Sequence, residues 1–481
     1  MGLGFIVRAR QSTVRGSGRN SDWCPHEEVG GVATQTERDT REILKAVEGA
    51  AGQLPSAERR QFLRKALTAG AGTFAGAAFA GLSIAHAADV PASAGSKYPP
   101  GLPPWSRTLG PGVDWQPYGM PVKYQADVIR RQVAWLTQSP QASVNFSPLQ
   151  HLNGTITPNG LFFCRYHSGC AQINPAEHRL LIHGMVERPL LLTMDDLMRY
   201  PAVSRTHFVE CAANGAMEWK RAQLDSLQYT HGMLSCAEWT GVMLSTLLDQ
   251  VGVKKGAKWL LIEGADGAKM ARSIPLWKGL DDCILAYSQN GEALRAEQGY
   301  PVRAVIPGFE GNMNIKWVRR IKVSDRPWYT REETSEYTEL RPDGKALAFD
   351  FYEDAKSVIT FPCPEVPPQH GKGLYEIRGL AWSGRGKIKA VDVSFDGGAN
   401  WRPAQLQGPV LTKSLTRFTV PWQWDGGPAL LASRALDETG YVQPTIDELR
   451  AVRGDRGVYH NNSIQVWQVT AEGKVHNVQL A

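Results

Sequence analysis

The chain has 481 residues, 42% hydrophobic and 21% charged, enough for two or more domains that each bury a core. Its formal charge of +6 is shared out evenly: residues 1–87 hold eleven Lys and Arg against eight Asp and Glu, and the remainder holds 42 against 39, so each part carries +3. Near-neutrality over so long a remainder gives no electrostatic support to nucleic-acid binding.

Residues 1–57 are polar and irregular and suggest no fold. They lead into Glu58-Arg59-Arg60-Gln61-Phe62-Leu63-Arg64-Lys65, a Gly/Ala-rich apolar stretch from Ala66 to Ala85, and the small-x-small site Ala85-His86-Ala87. Twin arginines, a hydrophobic pair, a weak apolar region and that cleavage site resemble a twin-arginine export signal. The stretch is long enough to span a bilayer, but glycines at 70, 72, 76 and 81 make it a poor anchor. A leader over 1–87 and a periplasmic destination are expected, with no membrane anchor after cleavage. Removing the leader takes Cys24 and leaves six cysteines, Cys164, Cys170, Cys211, Cys236, Cys283 and Cys363. No CxxC, CxxCH or paired His/Cys zinc spacing occurs, so neither a zinc ribbon nor covalent haem is encoded. An oxidising periplasm permits a disulfide, with Cys164 and Cys170 closest in sequence.

Residues 88–118 are rich in Pro and Gly and read as an extended arm. From 119 to 345 the signals are mixed. Leu180-Leu181-Ile182-His183-Gly184 and Trp259-Leu260-Leu261-Ile262-Glu263 look like strands, and Gly241 to Gln250 has helical spacing ending before Gly252. After about 350 helical signals nearly vanish. Short alternating strands follow at Gly373–Gly379, Lys387–Phe395, Phe418–Pro421 and Ile464–Val469, with a turn at Asp396-Gly397-Gly398. The expected fold class is α+β: a mixed catalytic domain over 119–345, then an all-β immunoglobulin-like sandwich over 346–481.

Four separated segments carry the chemistry. Phe162-Phe163-Cys164-Arg165-Tyr166-His167 puts a guanidinium and an imidazole two residues apart, on one side if extended. Phe208-Val209-Glu210-Cys211-Ala212-Ala213-Asn214-Gly215 offers a soft thiolate donor suited to a redox metal; alone, a buried structural cysteine would be the better reading. Gly299-Tyr300-Pro301-Val302-Arg303-Ala304-Val305-Ile306-Pro307-Gly308 runs on to Asn314-Ile315-Lys316-Trp317, and Asp437 to Pro444 lies in the β-rich tail.

Together these segments resemble the sulfite oxidase family of molybdenum enzymes over essentially the whole mature chain. The Gly-Tyr-Pro-Val-Arg…Pro-Gly…Lys-Trp run is their most specific piece. The resemblance implies molybdenum held by one pterin dithiolene and by Cys211. It implies pterin contacts from Phe163, Arg165, His167, Asp266, Arg303, Asn314, Ile315 and Lys316, with the cations on the phosphate. It also implies a substrate pocket of Arg165, Tyr337 and Arg450, and oxygen-atom transfer from molybdenum to sulfur.

The chain departs from the family's sulfite-oxidising members at three places. An Arg-Arg pair after the cysteine is Gly215-Ala216, a pocket tryptophan is Tyr229, and a pterin-side histidine is Gln298. Losing a guanidinium makes a roomier pocket, less suited to a free dianion. That is closer to the sulfane dehydrogenase branch, the molybdenum subunit of a thiosulfate-oxidising system whose substrate is a cysteine persulfide on a carrier protein. Its implied partners are that sulfur carrier, a c-type cytochrome as electron acceptor, and a second copy joined through the sandwich domain. A dehydrogenase acting on free sulfite is the alternative.

Overall fold

The computed structural model describes residues 121–133, 137 and 139–480. The leader and the arm lie outside the described residues. Among the described residues no helix is long and apolar enough to cross a membrane.

The first half is built around two five-stranded sheets. In one, Leu190–Leu192, Leu180–Gly184, Val318–Ser324, Trp259–Gly264 and Ala271–Pro275 lie side by side, with Leu180–Gly184 parallel to Val318–Ser324. Its buried face joins the helix Leu244–Val251 in a core of Leu180, Ile182, Leu247, Leu260, Ile262 and Ile321. Burying each such side chain contributes roughly 1.5–3 kcal/mol.

The other sheet carries the site. Ala202–Glu210 and Leu234–Met243 pair antiparallel from Ala202↔Val242 to Glu210↔Leu234, and Ile284–Gln289 and Arg303–Val305 extend the sheet. The ladder ends at Glu210, so the chain leaves the sheet at Cys211, whose N–H still donates to Met233 O at 2.9 Å. A small third sheet brings Cys164–Arg165 alongside Val144–Phe146.

The second half is a sandwich of two antiparallel sheets. Lys356–Phe361, Gly373–Trp382, Thr416–Trp424 and Gln405–Gln407 form one; Arg402–Pro403, Ile388–Ser394, Ala429–Asp437, Val466–Val469 and Val475–Val478 form the other. Alternation along these strands sends Ile377, Val391, Val393, Phe418 and Trp467 into a common core. That core also takes in Phe208, Leu227 and Leu234 from the first half, so the two halves meet through packed apolar side chains just below Cys211.

Two expectations change. Gly241–Met243 belongs to the strand and the helix starts at Leu244, because Gly241 pairs with Ala286 and a Cβ there would meet Leu285 O at 2.1 Å. The β-rich half also holds a helix, Ile446–Arg453. Its signal is local: the Thr445 side chain accepts from Glu448 N–H while Glu448 reaches back to Thr445 N–H. The six cysteines among the described residues are free, and Cys164 and Cys170 form no disulfide.

Candidate active site

Cys211 is buried, and burial pushes its thiol up to about 11, with Arg165 pulling weakly the other way. A free thiol there stays protonated at neutral pH and gives up its proton only to a strong Lewis acid. The loop after it is closed by Asn214 N–H donating to Cys211 O at 2.8 Å, and Gly215 takes a left-handed φ of +89°. Gly311 packs against this turn so closely that a Cβ would meet Glu210 O at 2.4 Å and Cys211 Cα at 3.1 Å.

On one side of Cys211 lies a cavity. Three cations face it, and among the described residues none of them is paired with a carboxylate. Arg165 donates to Ala142 O at 2.9 Å and to Tyr166 O. Arg303, fully buried, donates to Gln298 O and Oε1, each at 3.1 Å, and stacks 4.7 Å above Trp239. Burial draws its guanidinium down to about 10, and its Nε has no hydrogen-bond partner. Lys316 donates to Glu297 O at 2.8 Å and lies 4.5 Å over Tyr166, with burial lowering its ammonium to about 8. Carbonyl oxygens and ring faces relieve these charges only partly, so the cavity favours an anion.

The remaining wall is polar but fixed. Asp266 accepts from Ser168 Oγ and Met270 N–H, each at 3.1 Å. Asn314 accepts from Ile306 N–H at 2.8 Å, while Asn312 presents a buried Nδ2 without a partner. Phe163 and Ile315 supply the apolar surface. Across the floor His167 Nε2 and Tyr337 Oη are 3.0 Å apart. Burial and Arg165 lower His167 to about 4, and burial raises Tyr337, so at neutral pH a neutral imidazole meets a protonated phenol. Tyr337 holds a left-handed φ of +50°.

A second cavity shares Arg165 and Cys211 with the first. Its wall is Val144, Phe146, Met217, Met233 and Tyr229 beside Ala213, Gly215 and Ala216, and among its described lining residues Arg165 is the only cation.

Two family models match the chain: "Oxidoreductase molybdopterin binding domain" over 167–331 and "Mo-co oxidoreductase dimerisation domain" over 350–467. The chain is 31% identical over 369 residues to mouse mitochondrial sulfite oxidase, covering 70% of this chain and 66% of that protein. It is 32% identical over 331 residues to chicken sulfite oxidase, covering 63% of this chain and 71% of that one. The solved sulfane dehydrogenase SoxCD from Paracoccus pantotrophus superposes with a TM-score of 0.78 at 54% identity, covering 79% of this chain and 98% of that one.

The chain belongs to the sulfite oxidase family of molybdenum enzymes.

It is therefore a molybdopterin oxidoreductase, and its fold is the family's molybdopterin-binding domain followed by the dimerisation domain. The cofactor of the family is molybdenum–molybdopterin, and the residues fit it: unpaired cations and the orphaned donors Arg303 Nε and Asn312 Nδ2 suit an anionic group, with a thiol on the same wall. Phe163, Arg165, His167, Cys211, Asp266, Arg303, Asn314, Ile315, Lys316 and Tyr337 all line the first cavity.

Arg450 does not line either cavity. Helix Ile446–Arg453 turns it to Trp219 O at 3.1 Å and Gln479 Oε1 at 2.9 Å, so here it braces the turn beside the cysteine loop. The segment Asp437–Pro444 stays away too, since Asp437 caps its own turn through Thr439 and Tyr441 N–H. The positions that the resemblance set apart lie at the two cavities. Gly215, Ala216 and Tyr229 line the second cavity, and Gln298 lines the first beneath Arg303. Trp239 and Tyr166, the ring faces under Arg303 and Lys316, carry no sequence signal, because the contact joins residues on separate strands and loops.

Proposed function

We propose that this chain is the catalytic subunit of a periplasmic dehydrogenase that oxidises a sulfane sulfur, carried as a cysteine persulfide on a partner protein, and passes electrons to a c-type cytochrome. The observation that carries this reading is the second cavity, roomy, largely apolar and, among the described residues, served by one cation at Cys211. A free dianion loses most of its hydration on entering such a space and needs matching positive charge. A sulfur on a carrier arm brings less charge and needs room instead. The likeness to a sulfane dehydrogenase at 54% identity supports the same choice.

The molybdenum cofactor, when bound, supplies oxygen-atom transfer and two-electron redox chemistry. Cys211 would hold the metal through its sulfur, releasing a proton as it binds. Arg303, Lys316 and Arg165 would hold the cofactor's anionic parts, with Phe163, Asp266, Asn314 and Ile315 shaping the wall around them. Tyr337 keeps its phenolic proton and offers it as a hydrogen bond, while neutral His167 orients that group. Arg165, common to both cavities, would neutralise anionic product. The leader supports export of a folded, loaded protein by the twin-arginine route, and the dimerisation domain supports a pair of such chains.

Molybdenum content of the mature protein, wild type beside Cys211→Ser, with turnover of free sulfite and of a persulfidated cysteinyl peptide, tests the reading. About one molybdenum per chain, turnover abolished in the serine variant, and preference for the persulfide are expected. Preference for free sulfite would make it a sulfite dehydrogenase, and no molybdenum in the wild type would end the proposal.

A further inference from the structure

The Cys211 loop is gripped from the sandwich domain, and the grip centres on Glu210, the residue before the cysteine. The Glu210 carboxylate is 2% exposed. Its Oε1 accepts from Lys356 Nζ at 3.0 Å and from Asn214 Nδ2 at 2.9 Å, and its Oε2 accepts from Trp382 Nε1 at 2.5 Å. Lys356, 3% exposed at the start of strand Lys356–Phe361, donates again to Asn214 O at 3.1 Å. His460 N–H donates to Ala212 O at 2.8 Å and Asn461 Nδ2 to Gly215 O at 3.0 Å. Every residue from Glu210 to Gly215 except Cys211 and Ala213 thus has a contact that traces to the second half or to Glu210 itself.

A buried ion pair is a poor stabiliser, since desolvation offsets most of its attraction. What it does well is fix geometry, because a misplaced partner leaves an uncompensated charge. Here the fixed point is one residue from the sulfur. Neither Glu210 nor Lys356 lines the cation cavity.

We infer that Glu210 and Lys356 are a positioning pair for Cys211: clamped by Asn214 and Trp382, they carry the rigidity of the sandwich domain to the sulfur and fix its approach to the metal. They touch neither substrate nor cofactor and act through the backbone of residues 210–215. The inference rests on Cys211 being the metal ligand.

The test uses holoenzyme from an export-competent host. In Glu210→Gln the amide presents an N–H to a donor, either Trp382 or the Lys356 and Asn214 pair. Two quantities are read per bound molybdenum: the sulfur-to-metal charge-transfer band of the oxidised protein, and kcat beside KM. The expected result is a displaced band and a kcat lowered about tenfold with KM unchanged within about twofold. Trp382→Phe, which deletes one donor, should move both the same way by less, about threefold. If Glu210→Gln fails to fold, the Glu210→Gln/Lys356→Met double variant, which leaves no unpaired buried charge, gives the same readout. A band and kcat per molybdenum equal to wild type, whatever the loss of thermal stability, would make the pair structural only and overturn the inference. Cys211→Ser runs alongside: a band and turnover unchanged there overturn both readings, whereas a band altered there with an unaltered Glu210→Gln band overturns the pair alone.

Discussion

The two cavities that meet at Cys211 are built from opposite materials. One gathers Arg165, Arg303 and Lys316 with no carboxylate partner among the described residues; the other offers Val144, Phe146, Met217, Met233 and Ala216 around Arg165 alone. Cations held away from water without a carboxylate partner are costly, Arg303 most of all because it is buried, and an anion in the site offsets that cost. A substrate that comes and goes must be exchanged quickly, and on the proposed reading the second cavity would hold it by shape with little charge. The contrast then assigns permanent charge to the resident group and its scarcity to the visitor.

Erasing the contrast is the strongest way to break this account. Ala216→Arg places a guanidinium in the apolar cavity and should raise kcat/KM for free sulfite relative to the persulfide about tenfold, some 1.4 kcal/mol of differential stabilisation. Steady-state kinetics on both substrates check this, and an unchanged ratio would mean charge is not what selects the substrate.

A smaller effect sharpens the cation side. Lys316 has its ammonium lowered from 10.5 to about 8 by burial. A base whose folded value is depressed costs stability while it is charged in the fold, so the apoprotein should become more stable as pH rises from about 8 towards 10.5. The same deprotonation removes an anion donor, so the apoprotein's affinity for inorganic phosphate should fall severalfold over that window. Lys316→Met should bind phosphate weakly at every pH and show a flatter stability profile. Thermal melts and phosphate titrations from pH 7 to 10 measure both, and parallel curves for the two proteins would remove Lys316 from the anion site.

The smallest expected effect concerns Arg450, which serves neither cavity. Arg450→Ala should change kcat/KM by less than about threefold while lowering stability by about 1 kcal/mol, the worth of its hydrogen bonds to Trp219 O and Gln479. A hundredfold loss of turnover with unchanged melting would return Arg450 to the substrate pocket.

Much of the site was legible before any fold was known. Cys211 and the run from Gly299 to Trp317 stood out through their resemblance to a family rather than through residue type alone, and the strands at Leu180–Gly184, Trp259–Gly264 and Gly373–Trp382 are written in local alternation and apolar runs. The capping box that starts helix Ile446–Arg453 is equally local and was open to reading. Arg450 lay beyond that kind of inference: its direction depends on how this helix packs over Trp219, 231 residues away in sequence.

What the sequence by itself determined is the inventory: a soft sulfur donor, a set of cations, an α+β half and a β half, and a cysteine loop that ends in the small residues Gly215 and Ala216. What only the tertiary structure decided is which of those charges stay unpaired, and that the substitutions at Gly215, Ala216 and Tyr229 open a separate space while Gln298 sits under Arg303. It also decided that Glu210 is held by Lys356 and Trp382, 146 and 172 residues away. The reason is physical. Residue type and local spacing travel with the chain, but desolvation and pairing depend on which distant groups share the same few ångströms, and that is settled only when the sheets pack.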